Sequence, residues 1–296
     1  MNKLPFQRKA LNFIISSGLI HFENVFLVLL RRLLRASRGK RVDVGDISTK
    51  SKVSLTEPRV SSSDVPISLL QKNMIIKGVP KDYNLVSTIE HDEHILRAIY
   101  FSLKEGDHFW DIGANIGIYS VLLSVLAKNK DISIVAFEPE ERCCAILEEI
   151  KRQNGLENIT LYPMALGSKT QSLKMTIAKN PIAGTHSLLL NNQNFRTDEQ
   201  GQTVTIETGD HLRAQYGLQV PAVIKVDVEG YELEVLKGLD GILRDPGCQS
   251  IICEIHFAIL DTMGGNLPQA IVEYLKNRGF TYKKWLGPSH LHMSKC

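Results

Sequence analysis

The sequence has few cysteines, and none has the spacing of a metal site. Its five cysteines are an odd number without a CxxC pair, so we expect neither a disulfide framework nor a zinc site. Cys143 and Cys144 are adjacent, and we expect them to pack on a helix as small apolar groups. This cysteine usage is typical of a reducing compartment, so we expect a cytoplasmic protein.

The sequence also lacks an apolar run long enough to cross a membrane. A spanning helix needs about 20 apolar residues in succession, whereas residues 11–30 are interrupted at Asn12, His21, Glu23 and Asn24. We find no small-residue cleavage site of a secretory signal in this stretch. We therefore expect neither a membrane anchor nor a cleaved leader.

The net charge of +3 is small but unevenly distributed. Residues 1–59 contain 12 Lys and Arg against four Asp and Glu, and the rest of the chain contains 23 against 28. The basic run at 31–41 has no interleaved aromatics and the body is acidic, so we expect no nucleic-acid partner. We interpret the N-terminal region as one or two helices packed on the body. The alternative is a peripheral membrane contact, with an interfacial helix whose arginines face anionic lipid. These are Arg31, Arg32, Arg35 and Arg38.

From about residue 86 onward, apolar strands alternate with amphipathic helices, which is typical of a parallel α/β sheet. We divide the chain into a basic, partly helical extension with a linker (1–85) and an α/β domain (86–296). Strands are predicted at 108–112, 132–137, 158–166, 222–228 and 250–256, followed by two more after residue 279. Between the third and fourth strands, segments 172–178 and 203–207 alternate apolar and polar residues, which predicts an antiparallel β-hairpin insertion.

Residues 109–121 read FWDIGANIGIYSV, a strand that passes through a glycine-bearing turn into a helix. Such a turn lets the backbone approach a nucleotide-like ligand closely. A dinucleotide fold requires G-x-G-x-x-G, but Asn115 and Ile118 stand at its second and third glycine positions. S-adenosyl-L-methionine (SAM) has no pyrophosphate and does not need that spacing. The turn therefore favours SAM over a nicotinamide dinucleotide.

Several segments, in this order, resemble the FkbM-type SAM-dependent methyltransferases. They are FWDIGANIG, FEPE (137–140), ALG (165–167), IKVDVEGYELEVLKG (224–238) and CEIH (253–256). The resemblance spans about 86–256, and the combination of DIGANIG with IKVDVEG-x-E is its specific part. In one departure, TIETGDHL (205–212) stands where many members have a Leu-Asp pair, and we assign no role to Asp210.

The resemblance implies a class I methyltransferase (Rossmann-like) fold, a seven-stranded, mostly parallel sheet with helices on both faces. It also implies SAM as the cofactor and methyl transfer mostly to hydroxyl oxygen, on sugars of glycans or lipids or on polyketide-like products. Asp111, at the end of the first strand, suits the cationic methionyl group, and Glu138 can accept hydrogen bonds from the ribose hydroxyls. The predicted cofactor-binding residues are Asp111, Gly113, Ala114, Asn115, Gly117, Glu138, Pro139 and Ala165.

A second group of polar residues follows the fourth and fifth strands. Lys225, Asp227 and Glu229 share one side by the period of two, and Glu254 and His256 end the next strand. We predict Asp227, Glu229 and His256 as catalytic, with His256 a candidate general base. These residues with Glu254 could also hold a divalent ion, but the prediction assigns no metal. His186, in the loop of the insertion, is a further histidine that could reach the acceptor.

The sequence therefore predicts a SAM-dependent O-methyltransferase that acts on a hydroxyl of a carbohydrate, glycolipid or natural product. One alternative is an NAD-dependent oxidoreductase. The other is a non-catalytic SAM-binding protein that is tethered to its partner by the basic N-terminus. The expected partner is a small-molecule or glycan acceptor, and the sequence does not assign an oligomeric state.

Overall fold

The structure is a computed structural model, and it describes residues 75–81, 83–176, 201–262 and 267–296. The chain divides into the units Met1–Ser63 and Asp64–Cys296, and every described residue belongs to the second. The predicted N-terminal helices, the long loop of the insertion and His186 lie outside the described residues. The division at residue 85 stays a prediction.

The described strands are β1 (His108–Ile112), β2 (Ser133–Phe137), β3 (Ile159–Tyr162), β4 (Ala165–Leu166), β5 (Gln171–Thr176), β6 (Gly201–Glu207), β7 (Val223–Val226), β8 (Ser250–Glu254), β9 (Phe280–Trp285) and β10 (His290–Lys295). The described helices are α1 (Leu85–Ser102), α2 (Ile118–Leu126), α3 (Glu141–Asn154), α4 (Gly209–Tyr216), α5 (Glu232–Lys237), α6 (Asp240–Arg244), α7 (Phe257–Thr262) and α8 (Leu267–Lys276). None of these helices has the length and hydropathy needed to cross a bilayer.

A seven-stranded sheet forms the centre of the domain, in the order β3-β2-β1-β7-β8-β10-β9. The first five strands in this order are parallel, while β10 runs antiparallel to both β8 and β9. The strand order reverses between β1 and β7, and open α/β sheets bind ligands beyond the carboxyl ends of the strands at such a point. The predicted class I methyltransferase sheet is confirmed.

Side chains of β1 alternate between two cores, one on each face of the sheet. Phe109 belongs to the core that includes residues of α1, α2 and α3, and Trp110 to the core that includes residues of α5, α6 and α8. Both side chains are fully buried, and burying a large apolar side chain contributes roughly 1.5–3 kcal/mol. A strand covered on both faces is a continuous apolar run, which explains why HFWDI predicted its position correctly.

Helix α3 begins and ends at signals that are visible in the sequence. The Glu140 carboxylate accepts a hydrogen bond from the Cys143 amide at 2.7 Å, which satisfies one of the unpaired amides of the first turn. The helix ends where Gly155 adopts a left-handed conformation, with φ of +64°, as the Asn154-Gly155 pair predicted. Cys143 and Cys144 are both buried on this helix.

The prediction of one strand over residues 158–166 is wrong. Strand β3 ends at Tyr162, and β4 belongs to a separate three-stranded sheet in the order β4-β6-β5. Pro163 lies at the break, where it has no N–H to continue the ladder, and the Met164 amide turns back to the Tyr162 carbonyl at 2.8 Å. Strands β5 and β6 pair antiparallel, with Leu173 opposite Val204.

The fourth and fifth strands end two residues earlier than predicted. Strand β7 stops at Val226 and β8 at Glu254, so Asp227, Glu229 and His256 lie in loops rather than in strands. The chain leaves β7 by way of Glu229 and Gly230, which both have positive φ, +49° and +95°. This reversal directs the side chains after β7 towards the carboxyl end of β8.

The turn after β1 approaches the loop after β7 so closely that only glycine fits between them. A Cβ atom on Gly113 would lie 1.9 Å from the carbonyl oxygen of Asp227, and Gly113 has φ of +77°. The Asp227 amide also donates to the Ile112 carbonyl at 3.0 Å. These contacts hold the two predicted site segments against each other.

We predict that Gly113→Ala destabilises the domain more than Gly155→Ala. Both glycines have positive φ, but a Cβ on Gly155 would meet nothing within 4 Å. Gly155→Ala should therefore cost only the left-handed backbone energy, about 1–2 kcal/mol. Gly113→Ala should add an overpacking cost of about 1–3 kcal/mol, because the opposing atom is backbone. Urea unfolding measures both variants, and equal losses would contradict the steric explanation.

Candidate active site

A cavity of about 280 Å³ lies at the carboxyl ends of β1, β2, β7 and β8. The second sheet contributes residues of β4 and β5 to its wall. The lining residues are Ile112, Gly113, Asn115, Phe137, Glu138, Pro139, Met164, Ala165, Leu166, Met175, Asp227, Val228, Glu229, Glu254 and His256. The cavity thus brings both predicted groups of site residues, from opposite sides of the strand-order reversal, into one space.

Five successive amides of the turn, Gly113–Gly117, donate hydrogen bonds inside the protein. The first two donate to the Phe137 carbonyl at 3.0 Å, and the last donates to the Ala114 carbonyl at 2.8 Å. The Asn115 amide donates to the Glu138 carboxylate at 2.8 Å, and the Ile116 amide to the Asn115 side chain at 2.7 Å. Dinucleotide folds bind pyrophosphate through amides at this place. Here those amides are already paired, which disfavours a nicotinamide dinucleotide.

Glu138 presents a buried carboxylate to the cavity. Its two oxygens accept hydrogen bonds from the amides of Glu140 and Asn115, both at 2.8 Å, and burial raises its pKa to about 7 despite these bonds. A carboxylate has about four acceptor positions, so two remain for further donors. Two adjacent hydroxyl groups, such as those of a ribose, match this requirement.

Three of the predicted cofactor contacts do not line the cavity: Asp111, Ala114 and Gly117. Asp111 is fully buried, accepts a hydrogen bond from the Ser120 hydroxyl at 2.7 Å and lies 3.8 Å from the Lys225 ammonium. Asp111 thus contacts α2 and Lys225, and its contact with a methionyl group stays a prediction. Burial raises the pKa of Asp111, although the nearby lysine opposes this shift.

Gly117 serves helix packing rather than ligand approach. A Cβ atom there would lie 2.2 Å from a Leu147 methyl group, so the glycine lets α2 begin against α3. The remaining predicted contacts, Gly113, Asn115, Glu138, Pro139 and Ala165, do line the cavity. Sequence reasoning missed the apolar part of this wall, which consists of Phe137, Met164, Leu166 and Met175. Three of these residues lie in or next to the FEPE and ALG segments, which could have indicated them in the sequence.

Asp227, Glu229 and His256 converge at the other end of the cavity, and we call them the carboxylate–histidine cluster. The His256 Nε2 atom lies 3.6 Å from Asp227 Oδ1 and 3.4 Å from Glu229 Oε2. The second Asp227 oxygen accepts a hydrogen bond from the buried Lys225 ammonium at 3.0 Å. The predicted meeting of the β7 and β8 ends is therefore present in the structure, although both segments are loops.

Glu232 orients the histidine of this cluster. It is fully buried at the start of α5, and one oxygen accepts hydrogen bonds from His256 Nδ1 at 2.5 Å and from the Gly230 amide at 3.0 Å. Glu232 was not among the predicted site residues. Glu232 is the final acid of the IKVDVEG-x-E segment. That segment identified the family resemblance, but Glu232 was assigned no role in the site.

The carboxylates around His256 determine its charge. Burial lowers the pKa of His256, but the hydrogen bond with Glu232 and the charge of Glu229 outweigh burial and raise it to about 9. In this state the imidazole is protonated at neutral pH and donates from Nε2, which differs from the predicted role as general base. Burial raises the pKa of Glu229 to about 7, although the charge of His256 opposes that shift.

Two further acids of the sequence prediction have other contacts. Glu254 lines the cavity but pairs with β10 and the residue before it: its oxygens lie 3.2 Å from His290 Nε2 and 3.0 Å from the Ser289 hydroxyl. Asp210 is not a lining residue. It accepts hydrogen bonds from the Gly241 and Ile242 amides in the first turn of α6 at 2.7 and 2.8 Å, where helix amides otherwise lack partners.

Residues 111–282, more than half of the chain, match the family of the methyltransferase FkbM domain. The chain belongs to this family. Over 177 residues it is 30% identical to the hexuronic acid methyltransferase AglP of Haloferax volcanii, a match that covers 59% of this chain and 66% of that protein. It is 30% identical over 156 residues to the methyltransferase sdnD of Sordaria araneosa, covering 44% and 59%. The matched region thus spans less than two thirds of each relative, 66% of the first and 59% of the second.

A solved structure of an FkbM methyltransferase from Methylobacillus flagellatus aligns with a TM-score of 0.44 and 17% identity, over 64% of this chain and 44% of that one. Membership of the FkbM methyltransferase family makes SAM the cofactor. The described residues fit it: Glu138 can accept from its ribose hydroxyls, and the apolar wall with Phe137 and Met164 can contact its adenine.

We predict that SAM affinity rises with pH through the Glu138 titration. Ribose hydroxyls bind best to the ionised carboxylate, and its pKa of about 7 means that binding below pH 7 must displace a proton. Affinity should therefore fall about tenfold from pH 8 to pH 6. Glu138→Gln should bind more weakly and lose this part of the pH dependence.

Isothermal titration calorimetry at several pH values measures both proteins. The α-amino group of SAM titrates near pH 8 and affects the pH dependence for both proteins equally. The difference between the unchanged protein and Glu138→Gln therefore isolates the contribution of Glu138. Identical pH profiles for the two proteins would remove Glu138 from the ribose site.

Proposed function

We propose that the protein transfers the methyl group of SAM to a hydroxyl oxygen of a carbohydrate. The observation that carries this proposal is that one cavity is lined both by Glu138, the predicted ribose contact, and by the carboxylate–histidine cluster. The similarity to a hexuronic acid methyltransferase supports a sugar acceptor. When bound, SAM supplies an activated methyl group on a sulfonium, so the protein has to position the acceptor and remove its proton.

The chemistry of the cluster matches hydroxyl groups. Asp227 and Glu229 line the cavity, and carboxylate oxygens accept hydrogen bonds from hydroxyls. A negatively charged group of the acceptor placed against the same wall would be repelled. We therefore propose that the hydroxyl face of the sugar contacts the cluster, and that any acidic group of the acceptor points away from it.

The two loop carboxylates have separate roles in this proposal. Asp227 already accepts a hydrogen bond from Lys225, so its position is fixed and it orients the acceptor. We assign acceptance of the hydroxyl proton to Glu229, whose side chain lies 3.4 Å from His256 on the cavity side. Correct positioning is worth about 7–11 kcal/mol of the barrier, and proton acceptance adds roughly 10²–10⁴-fold.

We predict that Glu229→Gln lowers kcat for an accepted sugar by about 10²–10⁴-fold, because the amide cannot take up the hydroxyl proton. The affinity for SAM should change little, since Glu229 lies at the opposite end of the cavity from Glu138. Glu149→Gln is the matched control, because Glu149 is a solvent-exposed acid of α3 that pairs with Arg152. That variant should retain full turnover.

The assay supplies SAM with a hexuronic acid glycoside, a neutral hexose glycoside and a polyketide alcohol, and mass spectrometry detects addition of one methyl group. Methylation of a glycoside is the predicted result. Methylation of the polyketide alone would contradict the carbohydrate assignment, and undiminished turnover by Glu229→Gln would contradict its role.

A further inference from the structure

We propose that Asp227, Glu229 and His256 bind a divalent cation that accepts both oxygen and nitrogen ligands, with Mn²⁺ as the best match. This cation site goes beyond the proposed methyl transfer and does not depend on it. The sequence prediction assigned no metal, and the positions of the side chains are the reason for departing from it.

The three side chains present their ligand atoms at close to coordination spacing. One atom from each residue can be chosen so that all lie within 4.8 Å of one another. His256 Nε2 is 3.4 Å from Glu229 Oε2 and 3.6 Å from Asp227 Oδ1. Neighbouring ligands of a six-coordinate ion lie about 3.0 Å apart at Mg²⁺ bond lengths and about 3.4 Å apart at Ca²⁺ bond lengths. The two distances from His256 are close to that spacing, and the ligand atoms of Asp227 and Glu229 lie within 4.8 Å of each other.

Surrounding residues hold each ligand in a suitable orientation. Glu232 accepts a hydrogen bond from Nδ1 of His256 at 2.5 Å, so that Nε2 faces the two carboxylates. A carboxylate behind a coordinating histidine is the usual arrangement at metal centres. Lys225 donates a hydrogen bond to Asp227 Oδ2 at 3.0 Å, and Asp227 Oδ1 therefore faces His256.

The charge of the surroundings favours a cation. Glu232 is fully buried, and its second oxygen has no hydrogen-bond partner within the described part of the chain. Its negative charge adds to those of Asp227 and Glu229, and the Lys225 ammonium beside Asp227 offsets one of these three charges.

The ligand set also selects the kind of cation. Carboxylates suit Mg²⁺, Ca²⁺ and Mn²⁺, whereas imidazole suits transition metals. Mn²⁺ accepts both kinds of ligand, and three protein ligands leave about three of its six positions open towards the cavity. If the proposed function is correct, two hydroxyls of the acceptor would occupy open positions.

The test measures Mn²⁺ binding to the full chain without SAM or acceptor, by isothermal titration calorimetry and by electron paramagnetic resonance of free Mn²⁺. We expect saturable binding of one ion. Asp227→Asn and Glu229→Gln should each weaken it more than tenfold, and Glu232→Gln should weaken it by about 10–100-fold through the histidine. Glu149→Gln is the control, since Glu149 is an exposed acid of α3 that pairs with Arg152, and the affinity of this variant should stay close to that of the unchanged protein.

Thermal unfolding of each variant checks that a loss of binding is not a loss of fold. Absence of saturable Mn²⁺ binding to the unchanged protein would overturn the proposal, as would equal weakening by Glu149→Gln and Glu229→Gln. Since no methyl transfer is measured, failure here leaves the proposed function standing. Mn²⁺ binding by a protein that methylates no hydroxyl would support the cation site and reject the proposed function.

Discussion

The close approach of the turn after β1 to the loop after β7 is the constraint on which the site depends. Gly113 and the Asp227 carbonyl leave no space for a Cβ atom between them, so the turn after β1 and the loop after β7, which both line the cavity, are held together by backbone. This arrangement arises because β1 and β7 are parallel neighbours and therefore end at the same edge of the sheet. A methyl transfer needs two ligands aligned closely, and a rigid contact between their binding segments supplies that alignment.

The second constraint is electrostatic. Lys225 lies between Asp111 and Asp227, 3.8 and 3.0 Å from their nearest oxygens. Lys225 and Asp111 are buried, and Asp227 is partly exposed. Coulomb attraction to these carboxylates raises the pKa of Lys225 in spite of burial, so its charge is retained. His256 has a comparable position among Asp227, Glu229 and Glu232. The protein thus holds the charges in this part of the cavity in place, so they do not have to reorient during a reaction.

The sequence predicted the parallel core well because its strands are buried on both faces. The apolar run HFWDI placed β1 correctly, and SIICEIH placed the start of β8 but ran two residues past its end. The Asn154-Gly155 pair placed the end of α3. The break at Pro163 was missed, because LYPMAL is otherwise as apolar as a single strand and the proline was not used as the signal that ends one. Local periodicity does not show which sheet a short segment such as β4 joins.

Residue types and order also predicted most of the candidate site, but not the direction of each side chain. Asp111 was expected to meet the cofactor, yet it points to Ser120 and Lys225, since its neighbour Ile112 and the turn form the cavity wall. Glu232 was missed because its contact with His256 joins residues 24 positions apart. Spacing along the chain shows which residues end neighbouring strands, whereas burial and pairing depend on packing that one sequence does not reveal.

We propose that the reactive centre of the bound cofactor lies between Glu138 and the carboxylate–histidine cluster. A crystal structure of the protein with S-adenosylhomocysteine tests this claim most directly. The predicted result has both ribose hydroxyls on the Glu138 carboxylate and the sulfur facing Asp227, Glu229 and His256. A ligand with its ribose away from Glu138, or with its sulfur directed away from the cluster, would contradict the account.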